Sequence, residues 1–402
     1  MSVIGRSEKL LDSIAPQVLE VQDSQILEVA ERAYGRDNVI RLYAGESDEP
    51  TPEFIVAAAN QAMKAGQTRY TLSRGVPELR EEIAAYYRRI YGKPVVAEQI
   101  TVTVGGMQAL SQTLLALMQP GEEVLIPVPV WPNILEATRI ARAVPKAVPM
   151  IFDPARGWTL KLADLFNAVT PATRAIFINS PANPTGWTMS ADEMQQVLAF
   201  CRERRLWLIS DEVYGRMVYD GSDKAPSMLD IMEPEDRVVI CNTLSKNWSM
   251  TGWRVGWALA PVALGQVYDN LMQYGSTGAT TFVQAAAVVA LRDGDDHVAQ
   301  MARQCAAGRE IICTALESIP GIRLVRPAGA FYVFFSVEGM ADSRAVAFDI
   351  LDQVGVALAP GSAFSPAGEG WLRLCFGVSH NALRDAADRL HKYFAGPSAS
   401  VD

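Results

Sequence analysis

Residues 238–257 read VVICNTLSKNWSMTGWRVGW, and this segment combines a buried strand, a lysine and an arginine. The apolar run Val238 to Cys241 is typical of a strand inside a sheet, and two polar residues end it. Lys246 follows directly, and Arg254 precedes a second apolar run, Val255 to Ala260. The pattern predicts a lysine just past a strand end, against apolar side chains and within reach of an arginine.

Lys246 and Arg254 together indicate a particular chemistry. Burial and a cationic neighbour both disfavour the ammonium form of a lysine, and the neutral amine can attack a carbonyl carbon. The planar guanidinium of Arg254 suits a phosphate. An amine beside a phosphate clamp fits a cofactor that carries both an aldehyde and a phosphate, as pyridoxal phosphate does. Two solvated loop charges are the alternative, and a short motif does not exclude it.

The composition is that of a globular protein with more than one lobe, since the chain has 402 residues, 49% of them hydrophobic and 20% charged. The net charge of −9 argues against nucleic acid or an anionic membrane as a partner. Residues 1–16 lack the apolar core of a signal peptide, so we expect a cytoplasmic protein. Five cysteines without paired spacing predict reduced core thiols, and three scattered histidines predict no metal site.

Strands and helices alternate over most of the chain. Apolar runs predict strands at 41–43, 100–104, 123–127, 175–179, 206–210, 238–242, 255–260, 322–326, 330–337 and 371–376. Amphipathic spacing and caps predict helices at 24–34, 52–65, 77–91, 105–118, 132–142, 190–205, 295–318, 343–354 and 380–394. Thr51 is expected to cap the second helix with its hydroxyl.

This order predicts an α/β fold with two domains. Short apolar strands separated by helices indicate a large domain with a mostly parallel, doubly wound sheet. The strict alternation ends near residue 290, which predicts a smaller α+β domain. The expected boundaries are 46–289 for the large domain and 1–45 with 290–402 for the N-terminal arm and the small domain.

The ends of four predicted strands carry chemically useful groups, and ligands of doubly wound sheets bind at these ends. A helix start at Gly105-Gly106-Met107 can receive a phosphate on its N–H groups. The loop from Asn179 to Gly186 offers amide donors. Asp211 directly follows an apolar strand and needs a cationic partner, such as a protonated pyridine nitrogen. Lys246 supplies the amine.

With these motifs the chain resembles the class I/II aminotransferases, which are pyridoxal-phosphate enzymes of fold type I. The resemblance runs from LYAGE (42–46) to LRL (372–374) and is most specific at NPTG (183–186), DEVY (211–214) and SKNWSMTGWRVG (245–256). It implies ping-pong transfer of an amino group from an L-amino acid to a 2-oxo acid. Carbon–sulfur lyases and other elimination enzymes use the same scaffold, so that alternative stays open here.

The resemblance implies a role for each matching residue. Lys246 would bind the cofactor covalently and move a proton from the substrate Cα, and Asp211 would pair with the pyridine nitrogen. Tyr214 and Asn183 would hydrogen-bond the cofactor's phenolic oxygen, with Trp131 stacked on the ring. The groups expected to hold or surround the phosphate are Gly105, Gly106, Met107, Thr243, Ser245 and Arg254. The peptide bond between Asn183 and Pro184 is expected to be cis.

Further residues would bind the substrate or come from a second subunit. Arg373 would grip the substrate α-carboxylate by a bidentate pair, and Gly45 and Asn183 would lie beside the same group. Tyr70 would reach the phosphate bound by a neighbouring subunit, which implies a homodimer with shared sites.

The substrate side chain is expected to be neutral or aromatic. Met107 occupies the position where some aspartate-using relatives carry a lysine, so that cation is missing. Met107, Trp131 and Trp187 are expected to form an apolar pocket. Arg74 is the one candidate for binding a distal carboxylate.

Overall fold

The computed structural model describes residue 11 and residues 13–395. Its strands are β1 (Ile40–Arg41), β2 (Ile100–Thr103), β3 (Glu123–Val128), β4 (Val144–Pro149), β5 (Ile151–Asp153), β6 (Gly157–Thr159), β7 (Thr173–Asn179), β8 (Trp207–Asp211), β9 (Val238–Thr243), β10 (Gly256–Leu259), β11 (Ile322–Arg323), β12 (Tyr332–Val337), β13 (Val356–Ala357), β14 (Ala359–Pro360) and β15 (Trp371–Cys375). Its helices are α1 (Pro16–Leu19), α2 (Gln25–Ala33), α3 (Glu53–Lys64), α4 (Pro77–Tyr91), α5 (Gly105–Leu117), α6 (Asn133–Ile140), α7 (Leu162–Asn167), α8 (Ala191–Arg204), α9 (Gly265–Gly275), α10 (Thr281–Asp293), α11 (Asp295–Glu317), α12 (Ser343–Val354) and α13 (His380–Ala395).

Seven strands form the central sheet in the order β2-β10-β9-β8-β7-β3-β4. All neighbours pair in parallel except β10, which runs antiparallel to both β2 and β9. The register places Asn179 beside Asp211, so the ends of β7 and β8 meet at one edge. Because β10 enters the sheet opposite Thr243, the chain just before it returns to the same edge. The mostly parallel sheet is as predicted.

Alternate residues of the central strands pack into two cores, because successive side chains of a strand point to opposite faces. One face contributes Ile176, Ile178, Leu208, Val238 and Ile240. The other face contributes Ala175, Phe177, Ile209, Val239 and Cys241. Both faces are therefore covered, which explains why these strands are continuously apolar.

A second sheet has the order β11-β12-β15-β14, with antiparallel pairing throughout. It shares a separate core with α11, α12 and α13. The N-terminal arm joins this part of the molecule, since β1 pairs in parallel with β13 and Leu42 lies in the same core. The α/β fold with a smaller α+β part is as predicted, whereas the domain boundaries remain a prediction.

Thr51 does not cap the helix that follows it. Helix α3 begins at Glu53, preceded by Pro52, and no side chain caps its first turn. Thr51 Oγ1 instead donates a hydrogen bond to the Ser249 carbonyl at 2.5 Å and accepts one from Trp253 Nε1 at 2.9 Å. The threonine therefore fixes the helix start to the segment between β9 and β10.

The five cysteines are buried and free, which agrees with the predicted reduced thiols. Among the described residues no group of three or more histidine, cysteine or acidic side chains could hold a metal ion. The same part of the chain contains no helix that is long and apolar enough to cross a membrane.

Candidate active site

A cavity of about 340 Å³ lies at the carboxyl edge of the central sheet, where the second sheet faces it. Its walls include twelve of the fourteen predicted site residues: Gly45, Gly106, Met107, Trp131, Asn183, Asp211, Tyr214, Thr243, Ser245, Lys246, Arg254 and Arg373. Gly105 lies just behind this wall, against Arg254, and Tyr70 lies outside the cavity.

Lys246 follows β9 and points into the cavity with its amine. Its Nζ donates a hydrogen bond to the Gly45 carbonyl at 2.5 Å. Burial, together with the nearby guanidinium groups of Arg373 and Arg254, lowers the pKa of this amine to about 8 against the opposing effects of Cys375 and Glu46. A useful fraction of the amine is therefore neutral and nucleophilic near neutral pH.

Asp211 ends β8 and is only 4% exposed. Its carboxylate accepts one long hydrogen bond, from the Val213 N–H at 3.4 Å. Burial raises the pKa of Asp211 to about 7, and the adjacent Glu212 adds to the rise. A carboxylate in this environment would be stabilised by a cation placed against it.

The helix α5 begins at the cavity wall and is held there by glycines. Gly105 has a φ of +74°, and a Cβ at this position would lie 2.6 Å from Arg254 Nη2. A Cβ at Gly256 would lie 2.7 Å from both the Asn242 carbonyl and the Gly106 N–H nitrogen. The unpaired N–H groups of the first helical turn can therefore approach an anion in the cavity.

Hydroxyl groups and a guanidinium surround this helix start. The hydroxyls of Thr243 and Ser245 lie 2.9 Å apart, and Thr243 Oγ1 donates to the Val255 carbonyl at 2.8 Å. Arg254 is solvent-exposed and donates from Nη1 to the Thr251 carbonyl at 2.7 Å. These donors, together with the helix start, form a cradle that fits a phosphate.

Arg373 is 2% exposed and is only partly paired. Its Nη1 donates to Asn183 Oδ1 at 3.0 Å, and its Nη2 donates to the Tyr43 carbonyl. Its Nε has no hydrogen-bond partner among the described residues. The guanidinium lies over the rings of Tyr332 and Phe364, 4.5 and 4.9 Å from their centroids. A buried guanidinium held by neutral groups is suited to binding an anion.

Asn183 and Trp131 are fixed to each other at the other wall of the cavity. The Trp131 N–H donates to the Asn183 carbonyl at 2.9 Å, and the Asn183 N–H donates to Asn179 Oδ1 at 2.8 Å. The Asn183–Pro184 peptide bond is cis, as predicted. The loop therefore presents an indole ring and an amide at fixed positions in the cavity.

Sequence reasoning missed Tyr332. This residue lies in β12, lines the cavity and shares a 2.6 Å hydrogen bond between its hydroxyl and that of Tyr214. A Cβ at Gly45 would overlap the Tyr332 hydroxyl, so the glycine is required by this contact. The sequence carries no signal for it, because Tyr332 stands in an apolar run that reads as an ordinary buried strand.

Two expectations for the substrate pocket are wrong. Trp187 is not among the residues that line the cavity and packs against the core of the central sheet. Arg74 lies outside the cavity and donates to Thr101 Oγ1 at 3.2 Å and to the Glu98 carbonyl at 2.6 Å. Its guanidinium is therefore occupied by groups of its own chain.

Tyr70 is 92% exposed in the single chain. It lies in the loop between α3 and α4, beside the segment 276–282 that follows α9. Tyr274, near the end of α9, is 89% exposed. Tyr70 therefore does not pack under its own loop. An aromatic ring at such a position is available to another chain.

The residues of the cavity fit pyridoxal phosphate. Within the described part of the chain the buried carboxylate of Asp211 forms no ion pair, and the amine of Lys246 can react with an aldehyde. The cradle around the start of α5 would hold the phosphate. The incompletely paired Arg373 remains for the carboxylate of a substrate.

Comparison with known proteins gives one consistent result. The family model described as aminotransferase class I and II matches residues 37–390. The aspartate aminotransferase of Pyrococcus horikoshii is 32% identical over 392 residues, which cover 97% of this chain and 99% of that protein. Aromatic-amino-acid aminotransferase 2 of Thermococcus litoralis is 34% identical, with 92% and 96% covered. The crystal structure of aspartate aminotransferase from Thermotoga maritima has a TM-score of 0.88 at 33% identity, with 95% of this chain and all of that chain covered.

Proposed function

Because the chain belongs to the class I and II aminotransferases, and is therefore a transferase that uses pyridoxal phosphate, we propose that the cavity at the carboxyl edge of the central sheet is its active site. One observation carries this proposal: an amine, a buried carboxylate and a partly paired guanidinium face the same cavity. They belong to Lys246, Asp211 and Arg373. The reaction is transfer of an amino group from an amino acid to a 2-oxo acid, and the relatives' names give the lyase alternative no support.

When bound, pyridoxal phosphate supplies a ring that accepts the electron pair left when the substrate Cα loses its proton. Asp211 would hold the ring nitrogen in its protonated form, because a cation beside this buried carboxylate stabilises both charges. Lys246 Nζ would hold the cofactor until the substrate amino group takes its place, and the freed amine would then accept the substrate Cα proton and later return it. The lowered pKa of the amine suits this role, since it lies close to the working pH.

Tyr214 and Asn183 would hold the phenolic oxygen of the cofactor by hydrogen bonds, and Trp131 would cover its ring. The phosphate is bound by the cradle made of Gly105, Gly106, Met107, Thr243, Ser245 and Arg254. These groups sit on the central sheet, in its loops and at the start of α5. The cofactor is therefore oriented by rigid elements.

Arg373 binds the substrate α-carboxylate. Asn183 and the Tyr43 carbonyl already fix the plane of its guanidinium, so little side-chain freedom is lost on binding. Gly45 allows its backbone to lie beside the same carboxylate, since a larger residue would overlap Tyr332. The α-amino group is thereby directed towards the side of the cavity that carries Lys246.

We infer that the substrate side chain is neutral or aromatic. The cationic side chains that line the cavity are those of Lys246, Arg254 and Arg373, and each already has a role. The remaining wall is largely apolar, formed by Ile26, Tyr43, Met107, Leu110, Trp131 and Val213. The name of the Thermococcus relative agrees with this inference, whereas the names of the other two point to aspartate.

The test is to add single amino acids to the cofactor-loaded enzyme and to follow the absorbance of the bound cofactor. Aromatic and neutral amino acids should deplete this absorbance faster than aspartate does. Fastest depletion by aspartate would refute the substrate proposal. Borohydride reduction and peptide mapping should place the cofactor on Lys246, and a label on another lysine would refute the site.

We propose a homodimer in which Tyr70 of one chain reaches the phosphate bound by the other. The exposed ring of Tyr70 would be covered by the second chain, and its hydroxyl would gain a charged acceptor. We also propose a cytoplasmic location, which the buried free cysteines support. The proposed domains are 46–289 and, for the arm with the small domain, 1–45 with 290–402.

A further inference from the structure

Tyr332 and Tyr214 form a pair of buried phenols across the cavity wall. Tyr332 comes from β12 of the second sheet, and Tyr214 follows β8 of the central sheet. Their hydroxyl oxygens lie 2.6 Å apart, and their rings meet edge to face with centroids 5.6 Å apart. Both are at most 3% exposed, so water cannot easily replace this bond.

We propose that Tyr332 is a positioning residue that donates its proton to Tyr214 and so strengthens Tyr214 as a donor to the phenolic oxygen of the cofactor. This inference rests on the proposed role of Tyr214. It follows from a count of protons, because each phenol carries one. If the Tyr214 proton is directed to the cofactor, the proton between the two phenols must come from Tyr332.

The surroundings of Tyr332 favour this direction. The guanidinium of Arg373 lies 4.5 Å from the centre of its ring, and its charge lowers the pKa of Tyr332 against the rise caused by burial. Burial raises the pKa of Tyr214 well above its ordinary value, and Tyr332 adds to that rise. A positive charge over the ring of Tyr332 makes its hydroxyl the better donor, so this geometry favours a bond that runs from Tyr332 to Tyr214.

The Tyr332 hydroxyl is also fixed in position. Gly45 packs against it closely enough that no Cβ fits between them. Arg373 covers the ring, and Tyr214 receives the hydroxyl. Two hydrogen bonds in series polarise each other, so the second bond is stronger than it would be alone. Tyr332 thus acts on the cofactor without touching its phenolic oxygen.

The experiment is a pH titration of the absorbance of the bound cofactor in the holoenzyme. A donor to the deprotonated phenolic oxygen lowers the pKa seen in this titration, and loss of the donor raises it. Tyr214→Phe should raise the midpoint by about one pH unit or more. Tyr332→Phe should raise it by about 0.2–0.6 units, the share expected from one supporting bond. In the double variant the midpoint should equal that of Tyr214→Phe alone.

Tyr268→Phe is the matched control, because Tyr268 is a buried tyrosine whose hydroxyl pairs with Thr113 at 2.7 Å outside the cavity. It should leave the midpoint unchanged. Circular dichroism and cofactor content verify that each variant is folded and loaded. An unchanged midpoint in Tyr332→Phe, or a Tyr332→Phe shift that persists in the Tyr214→Phe background, would overturn the inference. An unchanged midpoint in Tyr214→Phe itself would instead refute the proposed role of Tyr214.

Discussion

Replacement of Asp211 by asparagine should stabilise the cofactor-free protein and inactivate the loaded enzyme. The side chain keeps its shape and can still accept the Val213 N–H, so the change removes mainly a charge. Burial raises the pKa of Asp211 from 3.8 to about 7. A pKa difference of about 3 units between the folded and the unfolded chain corresponds to about 4 kcal/mol of unfolding free energy.

The direction of the pKa shift decides whether ionisation of Asp211 stabilises or destabilises the folded protein. The folded chain holds the Asp211 proton more tightly than the unfolded chain does. Below about pH 4 the carboxyl is protonated in both states, and no penalty arises. As the pH rises to about 7 the folded state must either keep its proton or bury a charge, so the wild type loses stability. The asparagine variant does not share this loss.

Urea unfolding of both cofactor-free proteins at pH 4.5 and pH 8 measures the effect. The difference in unfolding free energy should grow in favour of Asp211→Asn by about 3 kcal/mol between these pH values, because the carboxyl of the unfolded chain is already largely ionised at pH 4.5. Glu212, whose pKa burial also raises to about 7, is present in both proteins, but its repulsion of the Asp211 carboxylate is absent from the variant and is therefore part of the measured difference. Asp37→Asn, at an exposed loop position, is the control and should show no such growth.

The loaded enzyme should behave in the opposite way. Asp211 then has its cation, and its removal should lower turnover on the order of 10³-fold, or about 4 kcal/mol of barrier. A stability difference independent of pH would show that the carboxylate is not held in an unfavourable environment. Near-normal turnover of the variant would show that Asp211 does not face the ring nitrogen.

Three further outcomes are expected. The rate at which cofactor-free enzyme takes up pyridoxal phosphate should rise with pH around a midpoint near 8, because burial lowers the pKa of Lys246 to about 8. A midpoint near pH 10 would contradict this. Mixing Lys246→Ala chains with impaired Tyr70→Phe chains should restore activity, since a hybrid dimer contains one intact site. A fully active Tyr70→Phe variant, or a protein that is monomeric, would refute shared sites. Gly45→Ala should weaken substrate binding because of its overlap with the Tyr332 hydroxyl, and Tyr332→Phe should partly rescue it, since the nearest ring carbon is 3.3 Å from the new Cβ.

The central elements were predictable because their signals are local. Helix α4 spans Pro77–Tyr91 as predicted, and α8 begins after the capping box that Ser190 forms with Glu193. Lys246, Asp211 and Asn183 could be placed because each follows a strand end and strand ends converge in such sheets.

Other features depend on partners far away in the chain. Strand β4 carries Pro145 and Pro149, which argue against a strand, and it forms because it lies at the sheet edge. Tyr332 meets Tyr214 across 118 residues, and Thr51 meets Ser249 across 198. Arg74 donates to the carbonyl groups of Glu98 and Ile100, and no sequence pattern indicates that these carbonyl groups need a donor.

The antiparallel strand β10 also bears on how the protein is made. Gly256 pairs with Thr243, so the pairing of β9 with β10 closes a short local loop, which costs little chain entropy. Chains emerge from the ribosome amino terminus first, and Arg373 lies more than a hundred residues beyond this hairpin. The edge proposed to hold the cofactor can therefore assemble while Arg373, the proposed substrate-binding residue, is still being synthesised. A cofactor captured at that stage would stabilise the nascent sheet by mass action.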